Sequence, residues 1–170
     1  MKTTHLVSKG MHGSVELFGP TVEFLTSPSE ADAVYCVMLG VVPPGVAIPL
    51  HSHPDEESFY MLSGEVQALS ERPSGFDWLN VEEGAFLHVP SSAKHAFRNK
   101  SNEPAVQLIT TTPKIGKFFE EMGRSASAGE RLPPPTPEEL QHFARTAESY
   151  GYWLGSPEQN EAIGIPSLGA

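Results

Sequence analysis

The chain has one cysteine, Cys36, among 170 residues. A single thiol excludes an internal disulfide framework. It lies in the apolar run Ala33-Val34-Tyr35-Cys36-Val37-Met38-Leu39, where a buried, inert thiol is expected rather than a nucleophile. Basic residues are scarce: 11 Lys and Arg face 21 Asp and Glu, a net charge of −10. That balance argues against nucleic acid or an anionic membrane as a partner, since both call for basic patches. No apolar run approaches transmembrane length. The first residues, Met1-Lys2-Thr3-Thr4-His5-Leu6, lack the apolar stretch of a secretory signal, so a soluble, cytoplasmic protein is expected. There is no helix-turn-helix pattern and no internal repeat. The length suits one domain.

What is present is a series of short apolar runs punctuated by Gly, Pro, Ser, Asn and Asp. The pattern predicts strands over 14–18, 21–25, 33–42, 46–50, 58–63, 65–70, 77–81, 85–89, 95–99 and 105–111. Regular short strands with frequent turn signals indicate an all-β sandwich or barrel. After 113 the character changes. Ile115, Phe118, Phe119 and Met122 fall at helical spacing, with Gly123 placed as a left-handed stop. A polar, then proline-rich linker follows, ending at Pro133-Pro134-Pro135. Thr136-Pro137-Glu138-Glu139 is a helix start, with Thr as N-cap, Pro in the first position and Glu placed for a capping box. Leu140, Phe143, Ala144, Ala147 and Tyr150 form one apolar stripe, and Gly151 ends the helix. Residues 155–170 read as an irregular tail. The expected organisation is a β-barrel over 1–113 and a helical extension, not a separate domain, over 114–170. The stripe either packs on the outside of its own barrel, or crosses to a partner subunit or covers a pocket mouth.

The chemistry concentrates in two segments. One is Gly45-x5-His51-x-His53-x3-Glu57-x6-Gly64; the other is Gly84-x5-Pro90-x-Ser92-x2-His95-x3-Asn99. Alternate strand residues share a face, which would put His51 and His53 roughly 6–7 Å apart at Cα, close enough to lean onto one ion. Pro54-Asp55-Glu56 reads as a turn, with Asp55 a turn residue. Glu57 then opens an apolar run and can swing back, and His95 can close the site from another part of the sheet. Glu56 has the opposite parity to Glu57 and should point outward. Three imidazoles and a carboxylate suit one divalent transition metal (Fe, Mn, Ni, Co, Cu or Zn) better than Ca or Mg. A six-coordinate ion on these ligands keeps positions open for water, oxygen or substrate. The imidazoles must be deprotonated to bind, so affinity should fall as the pH drops through about 6.5. His5, His12, His88 and His142 have no comparable frame, and His88 reads as a surface or supporting residue rather than a fifth ligand. Phe59 and Met61 share parity with Glu57, as Phe97 and Asn99 do with His95; these either line a pocket or form ordinary core.

With these two motifs the chain resembles the cupin superfamily over residues 30 to 113. The first motif matches throughout, and the second departs once, at Ser92, where the family has a turn glycine. The resemblance implies a double-stranded β-helix, the jelly-roll barrel, whose two sheets close around a pocket. Around His-Ser-His-Pro and Glu-Ser-Phe-Tyr-Met-Leu-Ser-Gly it is similar to small bacterial cupins described as quercetin-dioxygenase-like. That implies a metal-dependent dioxygenase acting on a small, possibly aromatic organic substrate, with Glu57 also as general base. The alternative is a non-oxidative cupin: a Lewis-acid isomerase or lyase, or a small-molecule binding protein. A homodimer is expected on general grounds, because two-fold dimers are the commonest soluble assembly.

Overall fold

A computed structural model describes residues 4, 6–8, 10–30, 32–127 and 130–166. Its strands are β1 (Ser14–Glu16), β2 (Thr21–Phe24), β3 (Cys36–Val42), β4 (Ala47–Ser52), β5 (Glu57–Ser63), β6 (Glu65–Arg72), β7 (Gly75–Glu82), β8 (Phe86–Val89), β9 (His95–Arg98), β10 (Ala105–Thr111), β11 (Arg124–Ser125) and β12 (Trp153–Leu154). Three helices follow the barrel strands: α1 (Pro113–Met122), α2 (Pro137–Ser149) and α3 (Pro157–Ala162). No helix among the described residues is long and apolar enough to cross a membrane.

The strands form two antiparallel sheets. One has the order β11-β1-β2-β3-β10-β5-β8 and the other β12-β4-β9-β6-β7. Period-two burial shows why these segments are strands: Cys36, Met38, Gly40 and Val42 alternate with less buried partners along β3. Phe59, Met61 and Ile109 of the first sheet meet Val66, Ala68 and Phe97 of the second in one core between the layers. Leu69 and Ala96, of opposite parity, belong to a second cluster with Leu50, Trp78, Trp153 and Ile165. That cluster seats the tail on the outer face of the second sheet. The all-β jelly roll with C-terminal helices is therefore the fold.

The region after 113 is more integrated than its composition indicates. β11 pairs with β1, and β12 pairs with β4, so this segment adds an edge strand to each sheet. The tail expected to be irregular contains α3, capped by Ser156 with a reciprocal Gln159 contact. Residues 167–170 of that tail, like His5, lie outside the described residues. Thr136 caps α2 through the expected capping box, and Gly151 stands in the left-handed region at φ 78°. Gly123 differs from expectation. Its φ is −71°, so it is no left-handed stop. A Cβ there would lie 2.4 Å from Val15, and that close approach to β1 is what requires glycine. The stripe of α2 packs on its own chain: Phe143 meets Phe118 and Phe18 edge to face, and Ala147 is fully buried. Cys36 is buried, and burial pushes its thiol up to about 11, as an inert core residue requires.

Candidate metal centre

His51 lies near the end of β4 and pairs directly with His95, the first residue of β9. His53 stands just beyond β4, so only one of the two expected strand histidines is within the strand. The rings nevertheless converge, with centroids 4.1 Å apart for His51 and His95, 5.0 Å for His53 and His95, and 5.6 Å for His51 and His53. Their ligand nitrogens all lie within 4.8 Å of one another.

The backbone fixes which nitrogen faces inward. Each Nδ1–H donates to a carbonyl two residues away: His51 to Pro49 at 2.8 Å, His53 to Asp55 at 2.8 Å, and His95 to Ala93 at 2.9 Å. Donation from Nδ1 leaves Nε2 as the lone-pair atom, the arrangement that presents an imidazole to a metal. Glu57 opens β5 with its carboxylate buried. Its Oε2 is 3.2 Å from His53 Nε2 and 3.6 Å from His95 Nε2, so it stands on that side of the histidine group. The Nε2 of His95 is buried without a hydrogen-bond partner. A buried, orphaned imidazole nitrogen beside two others and a carboxylate fits an ion better than an apolar core.

The electrostatics follow from this crowding. Burial, then the neighbouring His95 and His53, lower His51 to about 3, so it stays neutral. Burial also works against charge on His53, but its contact with Glu57 outweighs that and raises it above the ordinary imidazole value. Burial would raise Glu57; hydrogen bonding and charge from His53 and His95 win, and it is held ionised well below the usual carboxylate range.

His51, His53 and Glu57 border a cavity of about 360 Å³ between the sheets. Phe59 and Phe97 line it, whereas Met61 is ordinary core and Asn99 is a bracing residue whose amide donates to Val42 and Glu103 carbonyls. Leu140, Phe143 and Ala144 of α2 line the cavity on the same chain, so this part of the stripe packs against its own barrel. Glu56 is exposed, as its parity requires. His12, His88 and His142 are also exposed, and His88 Nδ1 lies 3.2 Å from the Ser58 hydroxyl across the strand pair.

Asp55 is more than a turn residue. It is buried, its Oδ1 accepts from the Thr112 hydroxyl at 2.6 Å, and Thr112 caps α1, so the His53 turn is tied to that helix. Ser92 adopts φ 63°, the left-handed conformation of the glycine it replaces, and its N–H donates to the His53 carbonyl at 2.7 Å. Two residues that bear on the site were not singled out from the sequence. Tyr152, with its ring 5.4 Å from His53, lines the cavity with an unpartnered buried hydroxyl. Burial, then Asp55 and Glu57, hold that phenol protonated. Asn160 accepts from the Leu50 N–H at 2.8 Å and so braces the strand that carries His51. The Ser-Pro-Glu-Gln start of α3 was the available signal for Asn160; Tyr152 had none.

Comparison with known proteins agrees with this geometry. A family model for the cupin domain matches residues 38–111. No curated protein matches the chain by sequence. Among solved structures, oxalate decarboxylase from Bacillus subtilis, studied for its Mn(II) centres, is 26% identical with a TM-score of 0.50. The alignment covers 58% of this chain and 27% of that one, so this chain spans only about a quarter of the decarboxylase. A double-stranded β-helix protein from Klebsiella pneumoniae, 15% identical, shares the fold at a TM-score of 0.51 over 76% of this chain and 100% of its own. Sheets and motif spacing agree with that match, so residues 38–111 are similar to the cupin domain in both sequence and fold.

Proposed function

We propose that the protein is a metal-dependent cupin enzyme, a dioxygenase acting on a small, largely apolar organic substrate. The observation that carries the reading is the convergence of three histidines with Nδ1 tied to backbone carbonyls and Nε2 turned inward. His51, His53 and His95 would hold one divalent transition metal through Nε2, with Glu57 as fourth ligand. Such an ion, when bound, supplies Lewis acidity and, if redox-active, a site for oxygen.

The protein's own groups do the rest. The cavity walls strip water from an apolar substrate. The Tyr152 hydroxyl donates to a substrate oxygen beside His53. Glu57 is held ionised, and a strongly ionised carboxylate is a better ligand than base. It accepts a substrate hydroxyl proton only once released from His53.

A non-oxidative reading, lyase or isomerase, is favoured by one observation, the likeness to a Mn(II) decarboxylase. The test begins with elemental analysis of untagged protein beside a His51→Ala/His95→Ala variant. Near-stoichiometric metal is expected in the wild type only, and equal emptiness after metal loading would sink the proposal. Oxygen uptake by loaded protein with flavonols and related enols then separates the readings: turnover without oxygen supports the lyase or isomerase. We also propose a homodimer. Phe86, Tyr60 and Leu62 leave an apolar patch on the outer face of β5 and β8, with Phe86 68% exposed.

A further inference from the structure

We propose that the cavity takes an elongated, largely apolar carboxylic acid with a hydroxyl at its far end, and that Gln107 is the residue that recognises this hydroxyl. The assignment of the acid end rests on the metal-centre reading above; that of the hydroxyl end does not.

Among the described residues, two buried polar atoms without partners line this cavity, the Tyr152 hydroxyl and the Gln107 Oε1. They stand at different levels of the strands that line it. Tyr152 stands beside His53. Gln107 lies on β10, where Thr111 pairs with Glu57 while Gln107 pairs with Met61 and Gly40. Four residues of strand separate the two levels, about 13 Å at Cα, which the side chains shorten to suit a chain of about eight carbons.

The walls between are apolar: Val22, Ile48, Phe59, Phe97 and Ile109. Gln107 is only 3% exposed, and its same-face neighbours on β10, Ala105 and Ile109, are apolar core. A buried amide oxygen left unpaired is costly, and an apolar side chain of similar shape would remove that cost. The fold instead makes room for the amide. Gly40 faces Gln107, and a Cβ there would lie 3.3 Å from Gln107 Cγ and 2.7 Å from Ile109 Cδ1. A ligand hydroxyl donating to Oε1 supplies the missing partner, while Tyr152 donates to the carboxylate at the other end.

The experiment is calorimetric titration of the full chain, metal-free and Mn(II)-loaded, with 8-hydroxyoctanoate, octanoate and 8-methoxyoctanoate. The hydroxy acid is expected to bind wild-type protein about tenfold tighter than octanoate, since a site built for a hydroxyl discriminates against its absence. The methoxy acid, which cannot donate, should not exceed octanoate. In Gln107→Met the preference should shrink to within about twofold, with octanoate affinity retained. Equal affinities in the wild type, a methoxy acid as tight as the hydroxy acid, a preference that survives Gln107→Met, or no binding of any of the three overturns the proposal. The methoxy comparison needs no variant, so it stands if Gln107→Met fails to fold. A hydroxyl preference in metal-free protein with no gain on Mn(II) loading supports Gln107 and counts against the metal-centre reading. A gain on loading without hydroxyl preference does the reverse.

Discussion

His53 differs from its two partners in what its Nε2 meets. That nitrogen lies 3.2 Å from Glu57 Oε2, and the contact favours the imidazolium. His51, lowered to about 3, is neutral at neutral pH, with its one ring proton on Nδ1 and Nε2 free of a proton. A metal must therefore displace the His53 proton. Because that pKa is raised above 6.5, competition starts higher than an unperturbed imidazole would suggest and strengthens as the pH falls. Titration of Mn(II) or Zn(II) from pH 8 to 5 should show affinity weakening about tenfold per pH unit once below the His53 pKa. A flat profile would contradict the ligand assignment. Ser92 carries a second residue-scale prediction. A non-glycine residue in the left-handed region is strained, though glycine loses more entropy on folding, so Ser92→Gly should raise stability by about 0.5–1 kcal/mol in chemical denaturation. Unchanged or lower stability would mean that the local hydrogen bonds already offset the strain.

Among the elements, β11 shows how the C-terminal segment is stitched to the barrel. Arg124 donates twice to Glu16 Oε2, at 2.8 and 3.0 Å, and Glu16 is buried. Arg124→Ala leaves that carboxylate buried and unpaired. With the arginine side chain 21% exposed, a loss of about 2–4 kcal/mol is expected, with partial recovery on adding Glu16→Gln. A loss below about 1 kcal/mol would show that water replaces the guanidinium. The same scale shows what was legible in the sequence. Thr136-Pro137-Glu138-Glu139 announced α2, because a capping box is written in contiguous residues. Ser156-Pro157-Glu158-Gln159 has the same grammar, but α3 is only six residues long and too short to show an apolar period. The strands β11 and β12 were unreadable for a different reason. Two residues have no periodicity, and their pairing depends on β1 and β4 being already in place.

At the scale of the whole molecule, the exposed patch of Tyr60, Leu62 and Phe86 is the surface on which the proposed dimer rests. Tyr60 and Phe86 are cross-strand partners, so the patch is contiguous. Light scattering should give the mass of two chains, and Phe86→Glu should shift it to one; a one-chain mass for the wild type would refute the dimer.

The sequence by itself determined the strand punctuation, the helix caps and the identity of the histidines and Glu57, because turns, alternation and ligand spacing are local properties of neighbouring residues. Only the tertiary structure decided the rest. It placed His95 opposite His51 across 44 positions of chain. It turned α2 over its own cavity, and it set Tyr152 and Gln107 in that cavity with polar atoms unpaired. None of these positions carries a local signature, since each is fixed by packing between segments far apart in sequence. They are also the positions that shape the histidine cluster and the cavity beside it.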